Sequence, residues 1–261
     1  MKIGVDIGGT TIKAGLIRNG ELIEKIIVKT PKDKIVDKIL FVIEFLNNSK
    51  VNFIGAGCPG PADYSKGIIG KTPNISQLKG VKLKEKIAKK FKKKVVMQND
   101  ASCFVLGEAL RLGKKNVVGL TLGTGIGGGI VIDGKLYVGE GNAGELGHCT
   151  IKFDGKKGDF NQGSLESYFS AKAIKRDFGK GPLELKSGKA WKEIGEKLGI
   201  GISNLINAFD PDVIVLGGKI SRAFSKFKAG MNKEIKKRAI RKVPVVVGKE
   251  DSGIIGAANL V

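Results

Sequence analysis

A short stretch at the start of the chain recurs in its middle. Ile3-Gly4-Val5-Asp6-Ile7-Gly8 aligns with Val118-Gly119-Leu120-Thr121-Leu122-Gly123 at an offset of 115, and Asn19-Gly20 then matches Asp133-Gly134 at an offset of 114. Each copy reads as a strand, a glycine turn, a second strand, a tight hairpin and a third strand. Asn-Gly and Asp-Gly supply the left-handed residues that two-residue hairpins need. Two copies are too few for a solenoid, so the repeat predicts a duplicated α/β unit. Glycines at the first bend of each copy expose backbone N–H groups and let an anion approach closely. Two such bends facing each other across a cleft would grip a phosphate chain from both sides.

The segments around the repeat complete two βββαβα-like halves with mixed sheets. In the first half, Ile3–Val5, Thr11–Ile17, Leu22–Val28, Val51–Gly57 and Val95–Met97 read as strands. Lys32–Asn47 and Lys82–Phe91 read as helices from their apolar spacing. In the second half, a helix is predicted over Leu165–Phe178 and a long one around Trp191–Ile206, stopped at Asp210-Pro211. Val213–Leu216 is a buried strand, Gly217-Gly218 opens the next helix, and a strand at Val243–Val247 and a helix at Ile254–Leu260 close the chain. The boundary is placed near Gly113-Lys114-Lys115. It gives domains 1–113 and 114–251, with the last helix (252–261) returning to the first.

One acid stands out in this order. Val95-Val96-Met97 stops abruptly at Gln98-Asn99-Asp100, where a helix begins. An acid at the mouth of a strand is well placed to be a buried, oriented base. On this stretch alone, Asn99 or Asp100 reads equally as a helix cap.

Composition sets the compartment and the partners. No apolar run approaches the roughly 20 residues of a bilayer span, and Met1–Asp6 has no signal-peptide pattern. Cys58, Cys103 and Cys149 are odd in number and lack C-x-x-C spacing, which argues against a disulfide framework. The expectation is a cytoplasmic protein with no membrane partner. The formal charge of +21 favours polyanions such as nucleotides or polyphosphate. The run Lys89-Lys90-Phe91-Lys92-Lys93-Lys94 reads as the solvated end of an amphipathic helix. No nucleic-acid-binding motif accompanies it, so no nucleic-acid partner is expected.

With these motifs assembled, the chain resembles the ROK family of the actin-like sugar-kinase superfamily over nearly its whole length. Asp6-Ile7-Gly8-Gly9-Thr10-Thr11-Ile12-Lys13 resembles the first phosphate motif, and Leu122–Gly129 the second. Pro59-Gly60-Pro61 and Thr72-Pro73-Asn74 resemble sugar-side loops, and Gln98-Asn99-Asp100 the catalytic-base motif. Gly144-Glu145-Leu146-Gly147-His148 and Leu165-Glu166-Ser167 resemble hexose-binding elements, and Val215-Leu216-Gly217-Gly218 the adenosine motif. Eight motifs in the family's order make the likeness specific.

The resemblance implies a duplicated actin-like (ribonuclease H-like) two-domain sugar kinase fold with a cleft between the halves. It implies an ATP-dependent kinase phosphorylating a hexose, usually at O6 and with glucose first, and commonly a homodimer. Asp100 would be the general base. Asn74, Asn99, Glu145, His148 and Glu166 would hydrogen-bond the sugar. Asp6, Gly8, Gly9, Thr10, Thr11, Lys13, Gly123, Thr124, Gly125, Gly217 and Gly218 would hold ATP. Asp6 would also hold Mg²⁺ through water, because that ion dehydrates reluctantly. Surface placement for Glu166 and a purely structural role for His148 are the local alternatives.

The chain also departs from the family. Many members bind a structural zinc through one histidine and three cysteines between the hexose elements. Here Lys157, Asp159 and Ser164 stand where the cysteines would be, and His148 and Cys149 alone are too few for a closed site. No zinc is expected, and the loop Lys152–Gly163 is expected to be held by packing alone. Gly179–Gly188 looks shortened, and Lys219 stands where a small residue is more usual. Four rivals follow from the same resemblance. They are a sugar-responsive repressor, disfavoured because the first phosphate strand begins at Ile3; a polyphosphate-dependent glucokinase; an N-acetylmannosamine kinase or fructokinase; and a non-catalytic sugar sensor.

Overall fold

The computed structural model describes every residue from 1 to 261 except Lys71, Pro73, Asn74 and Asp159. By their contacts the residues fall into two units. The first comprises Met1–Gly113, Val138–Gly141 and Asp251–Val261, and the second Lys114–Tyr137 and Asn142–Glu250. Among the described residues no helix is long and apolar enough to cross a membrane.

The first unit opens with β1 (Lys2–Ile7), β2 (Thr11–Arg18) and β3 (Glu21–Lys29), followed by α1 (Ile35–Leu46) and β4 (Phe53–Cys58). A short pair, β5 (Ala62–Asp63) and β6 (Ile68–Ile69), precedes α2 (Leu83–Phe91), β7 (Lys94–Asn99) and α3 (Asp100–Leu112). The sheet order is β3-β2-β1-β4-β7. The first three strands are antiparallel, whereas β1, β4 and β7 are parallel. Every residue of β4 is buried, as a parallel strand covered on both faces requires. In α2, Leu83, Ile87 and Phe91 point inward and the lysines coat the outside, with Lys90 paired to Glu44 of α1 at 2.7 Å.

The second unit repeats the plan. It contains β8 (Val117–Leu122), β9 (Ile126–Ile132), β10 (Lys135–Leu136), α4 (Glu166–Phe169), α5 (Ala171–Phe178) and α6 (Gly188–Phe209). β11 (Val213–Gly217), α7 (Phe224–Arg238) and β12 (Val245–Val247) complete it. Its order, β10-β9-β8-β11-β12, matches the first sheet strand for strand. Both hairpins use paired positive φ angles, 52° and 85° at Asn19-Gly20 and 51° and 76° at Asp133-Gly134. These are the angles of the turn whose twist suits a two-residue hairpin. α6 and α7 approach closely because Gly195 and Gly199 face the carbonyls of Phe227 and Met231, while Gly230 faces that of Lys192. Trp191, Phe169 and Phe227 fill the core beside them.

The last helix, α8 (Ser252–Ala258), belongs to the first unit. Its seat is a row of glycines running across three strands: Gly15, Gly4 and Gly55 are neighbours in register. A Cβ on Gly4 or Gly55 would strike the carbonyls of Ile254 or Ala257, and one on Gly107 of α3 would strike that of Ser252. One polar link crosses this packed layer. Glu108 of α3, fully buried, accepts from Arg111 and from the Ser252 hydroxyl.

Four predicted elements need correction. The helix expected over Leu165–Phe178 is two helices, because Ser170 is extended (φ −66°, ψ 162°) and its hydroxyl caps α5 through Ala173 N–H. The break frees Ala171 N–H to donate to Gly123 O at 2.9 Å. The strand expected over Val243–Val247 begins only at Val245, after Pro244, which has no N–H to offer a ladder. After Gly217-Gly218 the chain makes a 3-10 turn, Lys219–Ala223, before α7 starts. The final helix spans Ser252–Ala258 instead of Ile254–Leu260.

Candidate functional site

The candidate residues of the first unit gather at the carboxyl ends of its parallel strands, where ligands bind in open α/β sheets. Asp6 is in register with Lys13 on one side and Gly57 on the other, and Gly57 with Gln98. Asp100 follows one turn of chain later, at the start of α3. Both acids bear on one thiol: burial pushes the Cys103 thiol well up, and the charges of Asp100 and Asp6 push it further. Asp6 is itself half-buried. Burial raises its carboxyl above the ordinary range, and the Lys13 ammonium opposes that shift. The turn after Asp6 is closed by Gly8 N–H donating to Thr11 O at 3.0 Å and tied to β3 by Thr30, whose hydroxyl donates to Gly8 O at 2.6 Å. Gly9 and Thr10 are exposed at its tip.

Asn99 and Asp100 divide the labour that the sequence left open. Asn99 is the cap of α3: its side-chain oxygen accepts from Ala101 N–H at 2.9 Å and Ser102 N–H at 3.2 Å. Its amide nitrogen donates to the hydroxyl of Tyr64 at 3.2 Å, and Tyr64 donates to Cys58 O at 3.4 Å. The oxygen of Asn99 is therefore committed to the cap, and one of its two side-chain N–H groups to Tyr64. Asp100 adds a carboxylate oxygen to the Ala101 amide at 2.9 Å. Tyr64 was not foreseen; nothing in a tyrosine three residues after Pro61 announces that it will reach Asn99. Asn74 lies outside the described residues.

In the second unit, β8 and β9 are joined by Gly123-Thr124-Gly125, closed by Gly123 N–H donating to Gly125 O at 3.0 Å. Half-buried Glu166 lies against this turn, and its Oε2 accepts from Ile126 N–H at 2.6 Å. Glu145 and His148 flank a 3-10 turn on β9, with 3.6 Å between Oε2 and Nε2. Gly144 and Gly147 allow that turn to lie on β9, since side chains there would meet Gly128 and Ile126. The His148 ring packs edge-on against Phe160 with centroids 5.0 Å apart. Gly217 ends β11, and Gly218 (φ 79°) sits where a Cβ would collide with the backbone of Leu122.

The ROK family model matches residues 2–261 of this chain. The chain belongs to the ROK family. A glucokinase of Thermotoga maritima is 31% identical, covering 99% of this chain and 96% of that protein. An N-acetyl-D-glucosamine kinase of Photobacterium profundum is 32% identical, covering 100% and 99%. Among solved structures, a ROK family glucokinase from Streptomyces griseus in complex with glucose and AMPPNP superposes with a TM-score of 0.81 at 27% identity, covering 100% and 98%. This ROK protein is an ATP-dependent sugar kinase with the actin-like α/β fold.

The zinc that many ROK proteins carry does not fit these residues. Among the described residues no three His, Cys, Asp or Glu side chains come together to hold a metal. The loop is not left to packing alone, which corrects the expectation from sequence. Ile151 N–H donates to Gly163 O at 2.8 Å, Gly163 N–H to Lys156 O at 2.9 Å, and Gly158 N–H to Asn161 O at 2.7 Å. The Tyr168 hydroxyl accepts from Lys156 N–H at 2.9 Å, and Ser164, at a zinc-cysteine position, shares a 2.7 Å hydrogen bond with Ser167. Lys156 pairs with Asp177 at 2.6 Å. Burial works against the Asp177 carboxylate, but Arg176 and Lys156 together hold its pKa below the usual range.

Proposed function

We propose that this sugar kinase transfers the γ-phosphate of ATP to the 6-hydroxyl of a hexose, glucose first. The observation that carries the reading is the pairing of Asn99 with Asp100. Asn99 carries the cap, which leaves the helix little need of an acid at its first residue. In the proposed step the sugar oxygen forms a bond to the γ-phosphorus, the bond to the ADP oxygen breaks, and the hydroxyl proton passes to the Asp100 carboxylate. Catalysis comes mainly from positioning and from neutralising phosphate charge. Turn amides around Gly8–Thr11 and Gly123–Gly125 would bind the phosphates. Glu145, His148, Glu166, Asn74 and the remaining N–H of Asn99 would orient the sugar.

The donor set fits Mg²⁺. Asp6 is a half-buried hard-oxygen ligand whose charge is opposed by burial and supported by Lys13, and a hydrated Mg²⁺ would supply further positive charge there. When bound, the ion would offset the negative charge of the phosphates. N-acetylglucosamine is the second acceptor to consider, because the relative acting on that sugar is as similar as the glucokinase.

The test is a coupled assay with ATP and Mg²⁺ across glucose, mannose, fructose, N-acetylglucosamine and N-acetylmannosamine, repeated with polyphosphate. Saturable turnover of glucose with ATP is expected. Turnover with polyphosphate alone would overturn the donor, and turnover of another sugar alone would overturn the acceptor. Silence with every pair, in folded protein, would point to a sugar sensor.

A further inference from the structure

Glu166 carries the resemblance to a hexose-binding acid, yet it hydrogen-bonds the turn proposed to receive the other substrate. Oε2 accepts from Ile126 N–H at 2.6 Å, a short bond of the kind a charged acceptor makes. Gly125 makes the approach possible: a Cβ there would run into Oε2. The next helix, α5, holds the other end of the turn, because Ala171 N–H donates to Gly123 O at 2.9 Å. The split between α4 and α5 at Ser170 is what exposes that N–H. The turn Gly123-Thr124-Gly125 is thus fastened at both ends to α4–α5, once through a carboxylate and once through a backbone amide.

We infer that Glu166 is a positioning residue for the donor: it braces the second phosphate turn in the shape that receives ATP, besides whatever it offers the sugar. This rests on the reading of that turn as a phosphate site. A flexible turn pays the cost of being ordered when the ligand binds, and a braced one has met it beforehand. The brace needs an acceptor at Oε2 and not a charge as such, so glutamine can keep the bond and alanine cannot.

The experiment is titration with AMPPNP and Mg²⁺ by calorimetry, without any sugar, on the parent, Glu166→Ala and Glu166→Gln. Amide hydrogen exchange at Ile126 is followed in parallel in the free proteins. Glu166→Ala should weaken AMPPNP about tenfold and speed exchange at Ile126. Glu166→Gln should stay within about threefold and keep the amide protected. Gly125→Ala retains the acid but drives it off Ile126, so it should reproduce the alanine phenotype even if Glu166→Ala folds poorly. Nucleotide affinity within twofold of the parent in Glu166→Ala, with Ile126 still protected, would overturn the inference and leave Glu166 to the sugar. A parent that binds no AMPPNP would instead overturn the phosphate reading of the turn. The exchange measurement would still report whether the brace exists.

Discussion

Replacing Asp100 with asparagine should separate chemistry from helix capping, and the structure says by how much. The cap of α3 is made by Asn99 with two amides, and Asp100 contributes one further oxygen to the Ala101 amide. Asparagine keeps the shape and an acceptor but removes the charge at the helix N-terminus, which is worth about 0.3–1 kcal/mol. For a chain of this size each kcal/mol moves Tm by about 2–4 °C, so Asp100→Asn should lower Tm by no more than about 4 °C. Losing the general base should lower turnover by about 10²–10⁴, which is about 3–5 kcal/mol of barrier.

Asn99→Ala is the complementary variant. It deletes the cap, worth about 0.5–2 kcal/mol, and removes the donor to Tyr64. It should lower Tm by about 1–8 °C while retaining the base. The assay pairs coupled turnover at saturating sugar with thermal unfolding by circular dichroism. Turnover of Asp100→Asn within tenfold of the parent would refute the base. A larger Tm loss in Asp100→Asn than in Asn99→Ala would refute the division of labour itself.

Five further outcomes are expected. Gly218→Ala should destabilise on the order of 3 kcal/mol, since it combines a positive φ with a backbone collision. Gly123→Ala, which meets nothing nearer than 3.9 Å, should keep Tm and weaken AMPPNP; calorimetry and unfolding distinguish the two. Asp177 has a lowered folded pKa, so its contribution is present above the unfolded value near 3.9 and is lost as pH falls through the folded one. Asp177→Asn should therefore flatten the acid limb of unit 2 unfolding below about pH 4, read by emission of the lone, buried Trp191. A thiol reagent should add once to the native protein, at exposed Cys149, and three times in denaturant, because Cys58 and Cys103 are buried with raised pKa values; mass spectrometry counts the adducts. A chelator should leave Tm unchanged, since the hexose-side loop is tied by hydrogen bonds and the Lys156–Asp177 pair.

The repeat was legible because its signals are local. An Asn-Gly or Asp-Gly pair dictates its own backbone angles, and alternating apolar residues identify a strand without knowledge of its neighbours. What escaped the sequence depends on register or on distant partners. Gly4, Gly15 and Gly55 are far apart in the chain, and only strand pairing lines them up as a seat for α8. The apolar spacing of Leu165–Phe178 continues through Ser170, so periodicity suggests one helix; the serine cap and the Ala171–Gly123 bond decide otherwise. At the site, the strand-to-helix junction pointed to Asp100 and the family resemblance to Glu166, but neither pointed to the bonds that tie Asn99 to Tyr64 or Glu166 to Ile126. Those need a fold before they exist.

Glycine-rich motifs call for the same distinction. A glycine in a phosphate motif is usually credited to the ligand, yet the protein's own packing can demand it. Gly218 is required by its φ and by the Leu122 backbone, and Gly125 by the Glu166 carboxylate. Neither would tolerate a side chain unchanged even if no nucleotide ever bound. Gly123 is different: its φ is not positive and a Cβ would meet nothing nearer than 3.9 Å. Close approach by something outside the chain is then the physical reason left for glycine there, and a phosphate chain is the ligand that such turn amides suit. On the proposed phosphate reading, Gly123 is the turn residue left to the ligand, with Gly125 and Glu166 serving to hold the turn in place.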